Sequence, residues 1–134
     1  MSGIARARPA VLCGAATVPG VDSVPELYDA FNARDIHRVT AQFAADVDWP
    51  DAWAGGRVVG MTAVREYWLR QWEVIDPHVH PRLMRELPDG RVEVLVDQVI
   101  RDRSGDLLSE AVVLHVYTLD RGLIARMDVA DPEL

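Results

Sequence analysis

The sequence from residue 24 to residue 43 reads VPELYDAFNARDIHRVTAQF. Its apolar residues recur at steps of three and four, which is the pattern of an amphipathic helix that packs one face on a core. Ser23 can cap the start of this helix, with Pro25 in its first turn. Because residues 32–35 interrupt the periodicity, the stretch predicts two helices that meet at a bend.

A third helix is predicted after a short extended region. Residues 46–49 alternate polar and apolar side chains like a strand, and residues 50–56 then form a loop rich in Pro and Gly. A second extended segment at residues 57–60 precedes a helix that Thr62 caps and Pro77 stops. One broad face of this helix collects its apolar and aromatic residues, together with one amide: Val64, Tyr67, Trp68, Gln71, Trp72 and Ile75.

Three β-rich segments complete the chain, at residues 92–101, 108–119 and 123–129. Turn-forming residues separate them, which predicts an antiparallel meander. Residues 79–86 are expected to add an edge strand. Helices followed by strands predict an α+β domain in which one sheet curls around the helices.

Composition narrows the classes of protein. A chain of 134 residues, 49% hydrophobic, fits one globular domain, and a net charge of −7 argues against nucleic acid or an anionic membrane as partner. Cys13 has no partner for an intramolecular disulfide, so we expect a reducing, cytoplasmic location. Prolines interrupt the weakly apolar N-terminal run, so we interpret residues 1–22 as a flexible leader and residues 23–134 as a single domain.

Three local patterns resemble one known superfamily. They are LYDAFNARD at residues 27–35, FAADVDW at residues 43–49 and GMTAVREYW at residues 60–68. Together they resemble the nuclear transport factor two-like superfamily, which includes ketosteroid isomerases and SnoaL-like polyketide cyclases. Residues 115–124, HVYTLDRGLI, resemble its closing hairpin. The resemblance implies a cone-shaped α+β barrel, with the N-terminal helices packed into a strongly curved, mostly antiparallel sheet around an apolar pocket.

Asp51 is the first candidate for chemistry. Counting from the shared segment at residues 43–44 places it where ketosteroid isomerases carry a proton-shuttling carboxylate. If Val47 and Trp49 point inward, strand alternation directs Asp51 inward as well, beside the aromatic ring of Trp53. Partial desolvation there suits a group that moves protons. The alternative is that Asp51 only begins a turn.

The isomerase mechanism also uses a tyrosine and a protonated acid as hydrogen-bond donors to a developing enolate. Ungapped counting places Leu27 and Leu114 at those two positions, and neither side chain donates a hydrogen bond. Tyr28 and His115 stand one residue away, although a shift of one residue turns a strand side chain to the opposite face. We predict His115 as a second catalytic residue, acting as acid or base, with a packed structural histidine as the alternative. Gln98, on the neighbouring strand, is a candidate to orient the ligand.

Aromatic residues supply most of the predicted ligand contacts. The four tryptophans all precede residue 73, and Trp68 resembles in position an aromatic residue that lines the isomerase cavity. Asp131 lies near the place where SnoaL-like cyclases carry an acid-base aspartate, although a solvated surface charge is the alternative. Packing in the core is the alternative for the aromatic residues. The predicted substrate-binding residues are Tyr28, Trp49, Trp53, Tyr67, Trp68, Trp72, Gln98 and Asp131.

The favoured function is a proton-shuttling isomerase or cyclase that needs no cofactor and acts on a hydrophobic, carbonyl-containing, polyketide- or steroid-like substrate. The alternative is a noncatalytic module for ligand binding or dimerisation, which is favoured by the missing hydrogen-bond donors at Leu27 and Leu114; the superfamily hosts both kinds of protein. His78 and His80 share a strand face, yet their surroundings lack further ligand spacing, so we predict no metal. We expect a homodimer through the outer face of the sheet, formed by Val113, Tyr117 and Leu119.

Overall fold

The computed structural model describes residues 23–132. The predicted leader and Cys13 lie outside these residues. None of the helices in this part of the chain is long and apolar enough to span a membrane. The elements, in chain order, are α1 (Ser23–Asn32), α2 (Ile36–Thr40), β1 (Phe43–Pro50), β2 (Arg57–Val59), α3 (Met61–Val74), β3 (Ile75–Glu86), β4 (Val92–Asp102), β5 (Leu107–Asp120) and β6 (Leu123–Ala130).

The predicted pair of N-terminal helices is confirmed, but both predicted N-caps are wrong. Arg34 adopts a left-handed backbone (φ 62°), and the Asp35 carboxylate accepts the Arg38 N–H at 3.2 Å to start α2. Ser23 lies inside α1, and its hydroxyl donates to the Gly122 carbonyl at 2.8 Å, which ties α1 to the turn between β5 and β6. Helix α3 starts at Met61, directly after Gly60 (φ 101°), so Thr62 is already helical.

The sheet has the strand order β2-β1-β6-β5-β4-β3 and is mostly antiparallel, as predicted. The single exception is the parallel pair β1 and β6, and the sheet is not closed. Strand β3 begins four residues earlier than expected, immediately after α3, and forms an edge. Proline lacks the N–H that a strand inside a sheet donates to its neighbours, so Pro77 and Pro81 are tolerated here because β3 has a neighbour on one side only.

The helices pack into the concave face of the sheet, which gives the cone-shaped α+β architecture. Apolar residues of α1 and α3 form one cluster with inward-facing residues of the strands, and Val24, Val64, Val94 and Ile124 have no measurable exposure. Burial of this kind contributes roughly 25 cal/mol for each Å² of apolar surface removed from water. The amphipathic helix pattern in the sequence therefore corresponds to a real inner face.

The predicted outer-face residues point the wrong way. Tyr117 is 1% exposed, and Val113 and Leu119 pack against the same core. Because side chains alternate along β5, the outer face instead carries Leu114. Its neighbours across the strands are Leu95, then Leu83 on one side and Ala130 on the other. We call Leu83, Leu95, Leu114 and Ala130 the outer apolar row.

Four charged side chains, from β1, β2 and β6, form ion pairs near the place where the register of the parallel pair β1 and β6 shifts, between Phe43 and Asp48. Arg57 contacts Asp48 at 2.6 Å and Asp128 at 3.2 Å, and Arg126 contacts the same two carboxylates at 2.9 and 3.0 Å. Arg57 also donates to the backbone carbonyl of Asp48 and, at 2.7 Å, to that of the residue before Asp128. We call these four residues the ionic ring.

Candidate active site

A cavity of about 100 Å³ lies between the helices and the concave face of the sheet. None of the described residues that line it is an Asp, Glu, Lys or Arg, and His115 is the one histidine among them. Its wall is mainly aromatic and aliphatic, which is typical of small-molecule sites. The residues that line it include Leu27, Tyr28, Trp49, Ala52, Tyr67, Trp68, Gln98, His115, Tyr117 and Val129.

Three polar side chains meet on one wall of this cavity. The Tyr28 hydroxyl, from α1, lies 2.8 Å from Nδ1 of His115 and 2.8 Å from the hydroxyl of Tyr117. His115 and Tyr117 are two residues apart on β5 and therefore share its inner face. If Tyr117 donates to Tyr28, then Tyr28 donates to Nδ1, and the neutral imidazole carries its proton on Nε2.

Burial keeps this network uncharged. It lowers the pKa of His115 from 6.5 to about 4, so the imidazole is neutral at physiological pH. Burial also raises the pKa of Tyr28, with a further contribution from Tyr117, and raises the pKa of Tyr117 itself. The cavity thus presents neutral hydrogen-bonding groups in an apolar surrounding.

Asp51 lies at the rim of the cavity and is not among the residues that line it. Strand β1 ends at Pro50, so the alternation that was expected to direct Asp51 inward stops one residue earlier. One carboxylate oxygen, Oδ1, accepts the backbone N–H groups of Trp53 and Ala54, each at 3.0 Å. This is the turn-forming geometry that was the alternative interpretation of Asp51.

Tyr67 links that turn to the cavity. Its hydroxyl accepts the Ala52 N–H at 3.1 Å, and both residues line the cavity. Burial raises the pKa of Tyr67, and the negative charge of Asp51 raises it further. Asp51 therefore acts electrostatically on a cavity residue, although its carboxylate stands outside the wall.

The structure brings six of the predicted site residues together around one cavity: Tyr28, Trp49, Tyr67, Trp68, Gln98 and His115. It does not bring the others there. Trp53 is 59% exposed beyond the rim, and Trp72 packs against Phe31 with the Arg34 guanidinium over its ring. Asp131 lines a groove on the opposite face of the sheet.

Tyr28 and His115 each lie one residue after the positions, Leu27 and Leu114, that ungapped counting assigned to hydrogen-bond donors. Leu114 faces away from the cavity, and His115 faces it. Leu27 and Tyr28 both line the cavity, but only Tyr28 brings a hydroxyl. Tyr117 was missed as a cavity residue, although its spacing of two from His115 on a strand is the signal that could have found it.

The histidines of β3 lie away from this site. His78 Nε2 is 3.3 Å from an Asp76 carboxylate oxygen, and the rings of His78 and His80 stack at 6.3 Å. Within residues 23–132, no group of three or more His, Cys, Asp or Glu side chains is arranged to hold a metal ion.

Comparison with known proteins places this architecture in a family. The sequence matches the SnoaL-like domain over residues 24–127, which is most of the chain. The chain belongs to the SnoaL-like family, within the nuclear transport factor two-like superfamily. No curated protein matches it.

Solved structures share the fold of this SnoaL-like chain at low identity. TerC, co-crystallized with polyporic acid, is 22% identical, with a TM-score of 0.73 over 86% of this chain and 92% of TerC. A proposed polyketide cyclase from Sinorhizobium meliloti is also 22% identical (TM-score 0.70, 81% of this chain and 94% of that one). A Mycobacterium tuberculosis protein in complex with estradiol-17beta-hemisuccinate is 17% identical (TM-score 0.73, 83% and 92%).

Proposed function

We propose that this SnoaL-like chain is a cofactor-independent acid–base enzyme that isomerises or cyclises a hydrophobic carbonyl compound. The observation that carries the proposal is the neutral network of Tyr28, His115 and Tyr117 on the wall of an otherwise apolar cavity. Such convergence of polar groups in an apolar pocket marks a site that orients a ligand or acts on it. Similar structures with polyporic acid and estradiol-17beta-hemisuccinate support a hydrophobic ligand.

His115 is suited to hold the carbonyl oxygen. Its Nδ1 is occupied by Tyr28, and its Nε2 forms no hydrogen bond with any described residue. A hydrogen bond into Nδ1 draws electron density from the ring, so the Nε2–H becomes a stronger donor. As an enolate develops, its oxygen gains negative charge, and a donor fixed in a low-dielectric site stabilises that charge.

Asp51 is the proposed base. Its Oδ1 is engaged in the turn, whereas its Oδ2 accepts no hydrogen bond from any described residue. The carboxylate would take a proton from the carbon next to the carbonyl and leave an enolate. In isomerisation the proton returns to another carbon. In cyclisation the enolate carbon bonds to a second carbonyl carbon, and the proton goes to the alkoxide oxygen that forms.

The test is deuterium exchange at the carbon next to a ketone, with cyclohexanone in D₂O followed by NMR. We expect exchange faster than in buffer, reduced by about 10²-fold or more in Asp51→Asn, since a general base contributes roughly that factor. His115→Gln should reduce exchange as well. Asp46→Asn, which alters an exposed carboxylate on β1, is the matched control. Equal exchange in all four proteins would contradict the proposal.

A noncatalytic ligand-binding module is the second candidate. It is favoured by the geometry of Asp51, whose carboxylate caps its own turn outside the cavity wall. In that case the protein would bind 4-nitrophenol, seen as a change in visible absorbance, but catalyse no exchange. Asp51→Asn would then leave binding unchanged, and Tyr28→Phe would weaken it.

We also propose a homodimer through the outer apolar row. Four charged residues beside this row form two pairs, Arg85 with Glu93 at 2.7 Å and Arg82 with Asp97 at 3.6 Å. Asp131 adds one negative charge to the same groove, so the patch carries little of the net charge of −7. Two copies can approach there without strong repulsion. Light scattering should give a dimer mass that Leu114→Asp converts to a monomer, whereas Val74→Asp, on α3, should not. A monomer mass for the unaltered chain would refute this interface.

A further inference from the structure

One large aromatic side chain stands exposed next in sequence to a residue that lines the cavity. Trp53 is 59% exposed, whereas Trp49 is 5% exposed. Trp53 directly follows Ala52, which lines the cavity, and the lining residue Val129 is itself 52% exposed. Indole rings are large and amphipathic and are enriched where proteins contact partners.

Residues 51–56, which carry Trp53, form a turn that is closed mainly on itself. The Asp51 N–H donates to the Gly56 carbonyl and the Gly55 N–H to the Asp51 carbonyl, each at 3.1 Å. The described hydrogen bond from this turn to the body of the protein is the one from the Ala52 N–H to the Tyr67 hydroxyl. The turn can therefore shift as a unit if that single bond is exchanged.

The end of the turn is built for backbone freedom. Gly55 and Gly56 have φ values of 79° and 77°, and a Cβ added to either would meet no atom within 4 Å. These glycines are therefore needed for their left-handed backbone and not for a close approach. Because no atom lies near these two positions on the side where a Cβ would point, packing there does not oppose a tilt of the turn.

The cavity itself is small for the ligands that such folds hold. Its volume of about 100 Å³ lies below the roughly 300–1,000 Å³ of typical ligand pockets. A ligand with more than one ring would protrude past the rim. Its protruding part would then lie beside Trp53 and Val129.

We propose that Trp53 is a specificity-determining residue, which folds over the mouth of the cavity and covers the part of a ligand that extends beyond the first ring. This inference rests on the proposed function only in that the same cavity binds the ligand. Asp51 then positions the turn that carries Trp53, through the hydrogen bonds of its Oδ1. The ligand class selected is a neutral apolar compound with a carbonyl or phenol head and a second ring.

The test compares two phenols that differ by one ring. Phenol has one ring and fits within the cavity, whereas the second ring of 4-phenylphenol extends to the rim. In titration calorimetry, we expect Trp53→Ala to weaken the binding of 4-phenylphenol about tenfold and the binding of phenol less than about twofold. Leu108→Ala, at a residue 54% exposed near the start of β5, is the control and should change neither affinity.

A second readout follows Trp53 directly. With 5-fluorotryptophan in place of tryptophan, Trp53→Phe identifies the resonance of Trp53 in the fluorine spectrum. Saturation with 4-phenylphenol should shift this resonance and protect it from broadening by a soluble paramagnetic agent, more than saturation with phenol does. If both phenols bind and the resonance stays accessible, or Trp53→Ala affects them equally, the role of Trp53 is refuted and the cavity stands. If neither phenol binds, the role of Trp53 is refuted as well, and cyclohexanone exchange then decides separately whether the proposed function stands.

Discussion

Acid should destabilise this protein through one buried side chain. Burial holds the pKa of His115 at about 4 in the folded chain, against 6.5 for an ordinary histidine. Between these two pH values the unfolded chain binds a proton that the folded chain does not. The free energy of unfolding should therefore be fully retained above about pH 6.5 and fall as the pH drops toward 4. The gap between the two pKa values corresponds to about 3 kcal/mol, as an order of magnitude.

Urea unfolding followed by tryptophan fluorescence, from pH 7.5 down to pH 4.5, measures this loss. In His115→Gln the loss over this window should shrink strongly, while the amide oxygen can still accept the Tyr28 hydroxyl. His80→Gln, at an exposed histidine, should keep the slope of the unaltered chain. Comparison with His115→Gln also subtracts the contribution of carboxylates such as Asp76 and Asp128, whose pKa values are lowered in the folded chain. The stability that they contribute is present above their ordinary pKa of 3.8 and is lost as the pH falls below it. Identical slopes for the unaltered chain and His115→Gln would refute the reasoning.

Three further changes test the packing around the site in the same unfolding assay. Tyr28→Phe removes both 2.8 Å hydrogen bonds of the network and should lower the free energy of unfolding by about 1–3 kcal/mol. Tyr117→Phe removes one of them and should lower it by about 1 kcal/mol. A larger loss for Tyr117→Phe than for Tyr28→Phe would contradict this order. Asp51→Ala should cost about 1 kcal/mol because two N–H groups of the turn lose their acceptor, and Asp51→Asn should restore most of it. Arg57→Gln opens the ionic ring and should cost about 1 kcal/mol, less in about 1 M NaCl; no salt dependence would mean that its backbone contacts dominate.

The fold was predictable because its periodic signals are long. The helical spacing in α1 and the alternation in β4 to β6 each extend over several residues, so small local conflicts do not change them. The caps were not predictable because Ser and Thr can donate and accept in several ways. Ser23 uses its hydroxyl to reach Gly122, a residue distant in sequence, and no local pattern contains that partner.

The candidate site was predictable in part. Tyr28 and His115 were recognised by residue type, and their convergence needed the three-dimensional packing of α1 on β5. Alternation failed at Asp51 because β1 ends at Pro50. Beyond that residue, the hydrogen bonds of the turn determine where the Asp51 side chain points. Alternation would have succeeded at Tyr117, which was assigned to the outer face because one small pocket was not expected to hold Val113, Tyr117 and Leu119 together, although His115, two residues before Tyr117, was expected inside.

The neutrality of the cavity separates binding from catalysis. A ketone is uncharged, so it enters the apolar cavity without loss of strong hydration, and removal of one hydroxyl from the network should weaken its binding only modestly. When Asp51 takes the proton, the negative charge moves from its carboxylate at the solvated rim to the enolate oxygen inside the cavity. There the charge has lost its hydration, and the hydrogen bond from the Nε2–H of His115, which Tyr28 polarises, must replace it. Tyr28→Phe should therefore lower the rate of cyclohexanone exchange by about tenfold or more, while the half-saturating ketone concentration changes less than about threefold. A fall in apparent affinity with an unchanged maximal exchange rate would instead make Tyr28 a residue that only binds the ligand.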